Sequence, residues 1–134
     1  MLEQLNSEFR LVDHKPPSLI ALQTLREERR ISEQLAELYR EVGEFDVEGP
    51  NPRYFRIWPA GEILEIDDAY GVSKALPGAV PIGSDGGGKL IVMRGEAVFS
   101  VGYGALAESS LHPLAASLEE FLRNPEPLWP WIKR

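Results

Sequence analysis

Gly83, four intervening residues, Gly88 and Lys89 reproduce most of the G-x-x-x-x-G-K-[ST] spacing by which a glycine-rich loop cradles phosphate. In such a loop the backbone N–H groups and the lysine hold the phosphates, and the final hydroxyl holds magnesium. Here Leu90 stands where that hydroxyl should be, and Asp85 places a negative charge in the cradle. A phosphate loop must also open a helix, whose N-terminus supplies donors and a positive dipole. The residues after Gly88 read Lys-Leu-Ile-Val-Met, a β-type run. Nucleotide or small-ligand binding through Gly83–Lys89 is therefore the weakest of the functional readings.

The remaining reactive residues converge poorly. There are two histidines, His14 and His112, each near proline and neither in a metal-ligand spacing. Cysteine is absent, which removes thiolate nucleophiles and thiolate metal sites together. The serines at 84, 100, 109, 110 and 117 lack the context of a nucleophile elbow. The neighbouring carboxylates Asp67–Asp68 and Glu119–Glu120 diverge by about 100° on a helix, so they do not meet as an acid–base pair. These residues supply no catalytic set, no metal site and no cofactor site, and the expectation is a chain that is not an enzyme.

A turn is the plainer reading of the glycines. Consecutive glycines allow positive φ, and Ser84 and Asp85 can bond to nearby backbone and fix the bend. The strain is expected at Gly86 or Gly87. Bare backbone there also suits close approach by a partner.

The turn must be held by strands. Ala79–Gly83, Lys89–Met93 and Glu96–Val101 are short apolar runs, with Arg94-Gly95 as a tight two-residue connection. They predict a three-stranded meander, with Tyr54–Trp58 as a fourth member. Helical patterns flank it. Leu2, Leu5, Phe9 and Val12 fall at helical spacing before Pro16 and Pro17. Ser18 offers an N-cap for a helix with Leu19, Leu22 and Leu25. Ser32 opens another with Leu35, Leu38, Tyr39 and Val42 on one face, and Gly43 suits its C-terminal cap. Glu44–Arg53, with Gly49, Pro50 and Pro52, reads as a loop. Pro59 suits a helix's first turn, with Ile63, Ile66 and Tyr70 on one face and Gly71 at its end. Ser117 and Glu120 make a capping box for the last helix, whose buried face is Leu118, Phe121 and Leu122. The tail after Asn124 alternates proline with Trp129 and Trp131 and reads as an aromatic strap. The predicted fold is α+β, with an antiparallel or mixed sheet of about four or more strands packed against helices.

The chain has 134 residues, 43% of them hydrophobic and 26% charged, which fits one globular domain over 1–134. No apolar run approaches the roughly 20 residues of a membrane helix, and MLEQLNSEFR lacks the features of a signal peptide. The expected location is cytoplasmic. A net charge of −7 argues against nucleic acid as a partner, since phosphate neutralisation needs a basic face. Arg26, Arg29 and Arg30 are interleaved with Glu27 and Glu28 and read as a solvated helix face. An acidic surface speeds encounter with basic partners, and it also serves plain solubility.

The run ALPGAVPIGSDGGGKLIVM resembles the core motif of the SUKH superfamily, which includes fungal cell-wall-assembly regulators and bacterial immunity proteins. Pro81, Ile82, Gly83, Ser84, Asp85, Gly86, Gly87 and Gly88 match its strand-and-loop pattern position by position. The match is looser at Ile31-Ser32-Glu33 and Val42-Gly43, and the whole covers roughly residues 18–124, with a Pro/Trp-rich tail over 125–134. The resemblance implies a single α+β domain without established catalytic activity. It further implies a protein partner, a basic toxin domain that the chain neutralises. The alternative is a housekeeping regulatory or scaffold domain that binds another cellular protein. The motif residues themselves are expected to act as scaffold.

Overall fold

A computed structural model of the chain describes residues 10–12, 19–42, 46–48, 55–85 and 87–123. Its framework is one antiparallel sheet of seven strands in chain order. They are β1 (Arg10–Val12), β2 (Asp46–Glu48), β3 (Arg56–Ile57), β4 (Ala79–Ser84), β5 (Lys89–Arg94), β6 (Ala97–Gly102) and β7 (His112–Ala115). The helices are α1 (Leu19–Glu28), α2 (Glu33–Val42), α3 (Ala60–Tyr70), α4 (Val72–Ala75) and α5 (Leu118–Arg123). The α+β class predicted from the sequence is the fold observed.

The apolar run of β5 is continuous because both faces of the strand are covered. Ile91 and Met93 point into a main core with Val80, Ile82 and Val98 of the neighbouring strands. Leu22 and Leu25 of α1, Leu35 and Leu38 of α2, Ile63 of α3, and Leu118 and Phe121 of α5 close that side. Leu90 and Val92 point the other way, into a second core with Val101, Trp58 and the α4 residues Val72 and flanking Leu76. Alternation along β5 thus feeds two cores from one strand.

Local chemistry sets the helix boundaries. The Ser32 hydroxyl accepts from the Gln34 N–H at 3.0 Å and caps α2. On α2, Leu35, Ala36, Leu38 and Tyr39 are buried while Glu33, Glu37 and Arg40 are exposed. The Tyr39 hydroxyl donates to the Trp58 carbonyl at 2.6 Å, tying α2 to the residue after β3. Pro59 is the N-cap of α3 rather than its first helical residue. Gly71 ends the helix with φ 66°, its N–H donating to the Asp67 carbonyl at 2.7 Å. At α5, the Glu120 N–H donates to the Ser117 hydroxyl at 3.1 Å, as the capping box predicts. The returning carboxylate accepts from Ala116 N–H at 3.3 Å.

Five expectations are corrected or extended. Arg10–Val12 is strand, not helix, because it pairs with Asp46–Glu48, and that same pairing makes a strand inside the predicted Glu44–Arg53 loop. The β5–β6 turn is Gly95-Glu96, one residue later than expected, since Arg94 still pairs with Ala97. β7 was not predicted; Pro113 disguises it, and its position at the end of the strand order tolerates a residue with no N–H to donate. Tyr70 is 49% exposed and does not share a face with buried Ile63, whose inward stripe on α3 continues to Asp67. Leu2, Leu5, Phe9, Ser18, Gly43 and the Trp129/Trp131 tail lie outside the described residues.

Candidate interaction site at the glycine turn

Pro81, Ile82, Gly83 and Ser84 all lie in β4 and are buried. They are scaffold, and Gly83 shows why. A Cβ there would stand 2.1 Å from the Arg56 carbonyl oxygen and 3.1 Å from the Ile57 Cα. β3 lies so close beside β4, with Ile57 paired to Gly83, that only a residue without a side chain fits. The register shift between Pro81 and Gly83 occurs at the same place.

Asp85 then organises the turn. Its Oδ1 accepts from the Gly87 N–H at 2.8 Å and from the Lys89 N–H at 3.0 Å. The Asp85 N–H donates to the Lys89 carbonyl at 3.1 Å, closing the hairpin from β4 to β5. The strained glycine is Gly88, at φ 113°; Gly87 has no positive φ, and Gly86 lies outside the described residues. The expectation for Gly87 is therefore corrected: the carboxylate bends the chain there, and the left-handed residue comes one step later. Gly87 and Gly88 are both exposed. The turn leads into β5, not a helix, so the helix N-terminus that a phosphate loop requires is not at this place.

Two aromatic residues that sequence reasoning did not assign to the site stand beside the turn. Tyr103 follows β6, and its N–H donates to the Gly88 carbonyl at 3.2 Å. Its ring packs partly against the second core. Tyr70 meets it edge to face, with centroids 5.1 Å apart and planes at 63°. Burial raises the Tyr103 hydroxyl's pKa above its ordinary value; Ser84 opposes this by hydrogen bonding, and Tyr70 and Asp85 add to it. No periodic signal joins positions 70, 85 and 103: Tyr70 ends α3, Asp85 lies in the β4–β5 turn and Tyr103 follows β6, and only the tertiary fold brings them near one another.

The other chemical candidates are structural. Asp67, 1% exposed, accepts from Arg29 Nε at 2.6 Å, from the Ser73 N–H at 2.8 Å and from the Ser73 hydroxyl at 2.6 Å. Asp68 points to solvent and takes Arg29 Nη2 at 3.3 Å, so the pair diverges as the helix spacing requires. This cluster ties the end of α1 to the α3–α4 junction. Glu119 donates its N–H to Gln34 Oε1 at 3.0 Å, while Glu120 serves the α5 cap. His112 lies within β7, and His14 is outside the described residues. Among the described residues no group of three or more His, Cys, Asp or Glu side chains could hold a metal ion. No described helix is long and apolar enough to cross a membrane.

No protein-family model matches the chain, and no curated protein matches it significantly.

Proposed function

We propose that this chain is a non-catalytic protein-binding domain of the immunity type, which binds and neutralises a cognate bacterial toxin in the cytoplasm. The observation that carries the reading is the turn itself. Asp85 braces exposed glycine backbone at the surface with an aromatic pair beside it. Preorganised backbone beside rigid aromatic side chains loses little entropy on association. The I-G-S-D-G-G-G resemblance to the SUKH superfamily supports the same class. A net charge of −7 favours a basic toxin domain over nucleic acid as partner.

The test is co-expression with the product of the neighbouring gene, followed by pull-down and a toxicity-rescue assay. A complex together with rescue is the expected result. A complex without rescue would move the chain to the regulatory or scaffold class, and neither complex nor rescue with any genomic neighbour would overturn the proposal.

A further inference from the structure

We infer that Tyr70, Tyr103 and Asp85 form a receptor for an arginine side chain of a partner protein, an assignment that rests on the protein-binding reading above. Tyr70 is one of two large hydrophobic side chains exposed among the described residues, with about half of its surface open. It is not loose: Tyr103 supports its ring edge to face, and Tyr103 is fixed through its own N–H to the Gly88 carbonyl. Aromatic faces so presented attract cations, guanidinium above all, because the ring quadrupole is negative on the face and a planar group stacks there.

Asp85 supplies the charge. Both of its bonds to the turn fall on Oδ1, and Oδ2 accepts none among the described residues. A carboxylate with one oxygen engaged and the other open receives a charge-assisted hydrogen bond without reorganising the loop. The exposed backbone of Gly87 and Gly88 adds no side chain to obstruct approach. An anionic ligand would meet Asp85 and the electron-rich ring faces together, which disfavours it. The net charge of −7 steers basic surfaces toward the whole molecule.

The experiment titrates the full chain with a capped Gly-Arg-Gly peptide and, separately, with its uncharged citrulline isostere, following backbone amides by NMR. Saturable shifts are expected at the Gly87, Gly88 and Tyr103 amides. The citrulline peptide and the Tyr70→Ala variant should each bind about threefold or more weakly. Asp85→Asn keeps an acceptor for the turn, so it should preserve the loop's amide pattern while weakening the arginine peptide. Equal binding of the two peptides, unchanged binding in Tyr70→Ala, or no response at those amides would overturn the assignment. The outcome is independent of the toxin assay. Arginine binding without rescue would leave this receptor and remove the immunity reading, whereas rescue without arginine binding would do the reverse.

Discussion

Replacing Gly83 by alanine tests the packing on which the turn depends. The added methyl carbon would lie 2.1 Å from the Arg56 carbonyl oxygen and 3.0 Å from the carbonyl carbon. Both are backbone atoms, so no side-chain rotation relieves the clash. Restoring van der Waals distance separates β3 from β4 by roughly 1 Å. That movement strains the two-residue Arg56–Ile57 pairing and the adjoining Trp58 N–H bond to the Ile82 carbonyl, now 2.9 Å. Hydrogen bonds contribute about 0.5–1.5 kcal/mol each, and overpacking a core costs about 1–3 kcal/mol. The expected loss is about 3–4 kcal/mol, or about 10–15 °C in Tm for a domain of this size. Urea and thermal unfolding followed by circular dichroism would measure it. Two neighbours act as controls. Gly87→Ala meets the Asp85 carboxyl group at ordinary van der Waals distance, the nearest atom at 3.6 Å, and should change stability by less than about 0.5 kcal/mol. Gly88→Ala must hold φ 113° and should lose about 1–3 kcal/mol. A Gly83→Ala protein within about 0.5 kcal/mol of the parent, or one more stable than Gly87→Ala, would refute the close-approach argument.

Leu118 is fully buried between α5 and the main core, so Leu118→Ala should cost about 2–5 kcal/mol in the same unfolding assays; a surface-like loss would contradict that burial. Asp67→Ala strands the Ser73 N–H, the Ser73 hydroxyl and Arg29 Nε together, and should cost about 2–4 kcal/mol by urea denaturation. Tyr103 has a folded pKa raised above the ordinary 10.0, so the folded state holds that proton more tightly than the unfolded chain. Its contribution is complete below pH 10.0 and is lost as pH rises through the folded value. Tyr103→Phe should therefore flatten the alkaline limb of stability, and should remove one late-ionising phenol from the ultraviolet titration.

The central hairpins were legible because several signals agreed. Ala79–Ser84, Lys89–Arg94 and Ala97–Gly102 carry apolar β-type runs separated by glycine turns, and they fold within one or two residues of the predicted bounds. The amphipathic stripe of α2 and the capping box of α5 were equally direct. What escaped had no local signature. β1 and β2 are three residues each and owe their conformation to pairing with one another and with β3. Gly83 looked like one glycine among four, yet its necessity comes from Arg56, 27 positions earlier in the chain. Tyr70 falls on one apolar period with Ile63 and Ile66, but the inward position on α3 is taken by Asp67, whose burial is possible because Arg29 and Ser73 satisfy it. The aromatic pair could not be read at all, since its members meet across a helix end and a strand end.

Every strand pairs with the next one along the chain, with no crossover. The longest ladders, β4–β5 and β5–β6, join segments separated only by short turns. Closing such small loops carries little entropic penalty, so the neighbour-to-neighbour order of the sheet keeps its contacts local and favours fast folding. Among the described residues, β1 and β2 reach the sheet through the two residues of β3. Native-state hydrogen exchange should accordingly divide the sheet. Amides of β5 should exchange only through global unfolding, while β1 and β2 should open together as a separate, less stable unit.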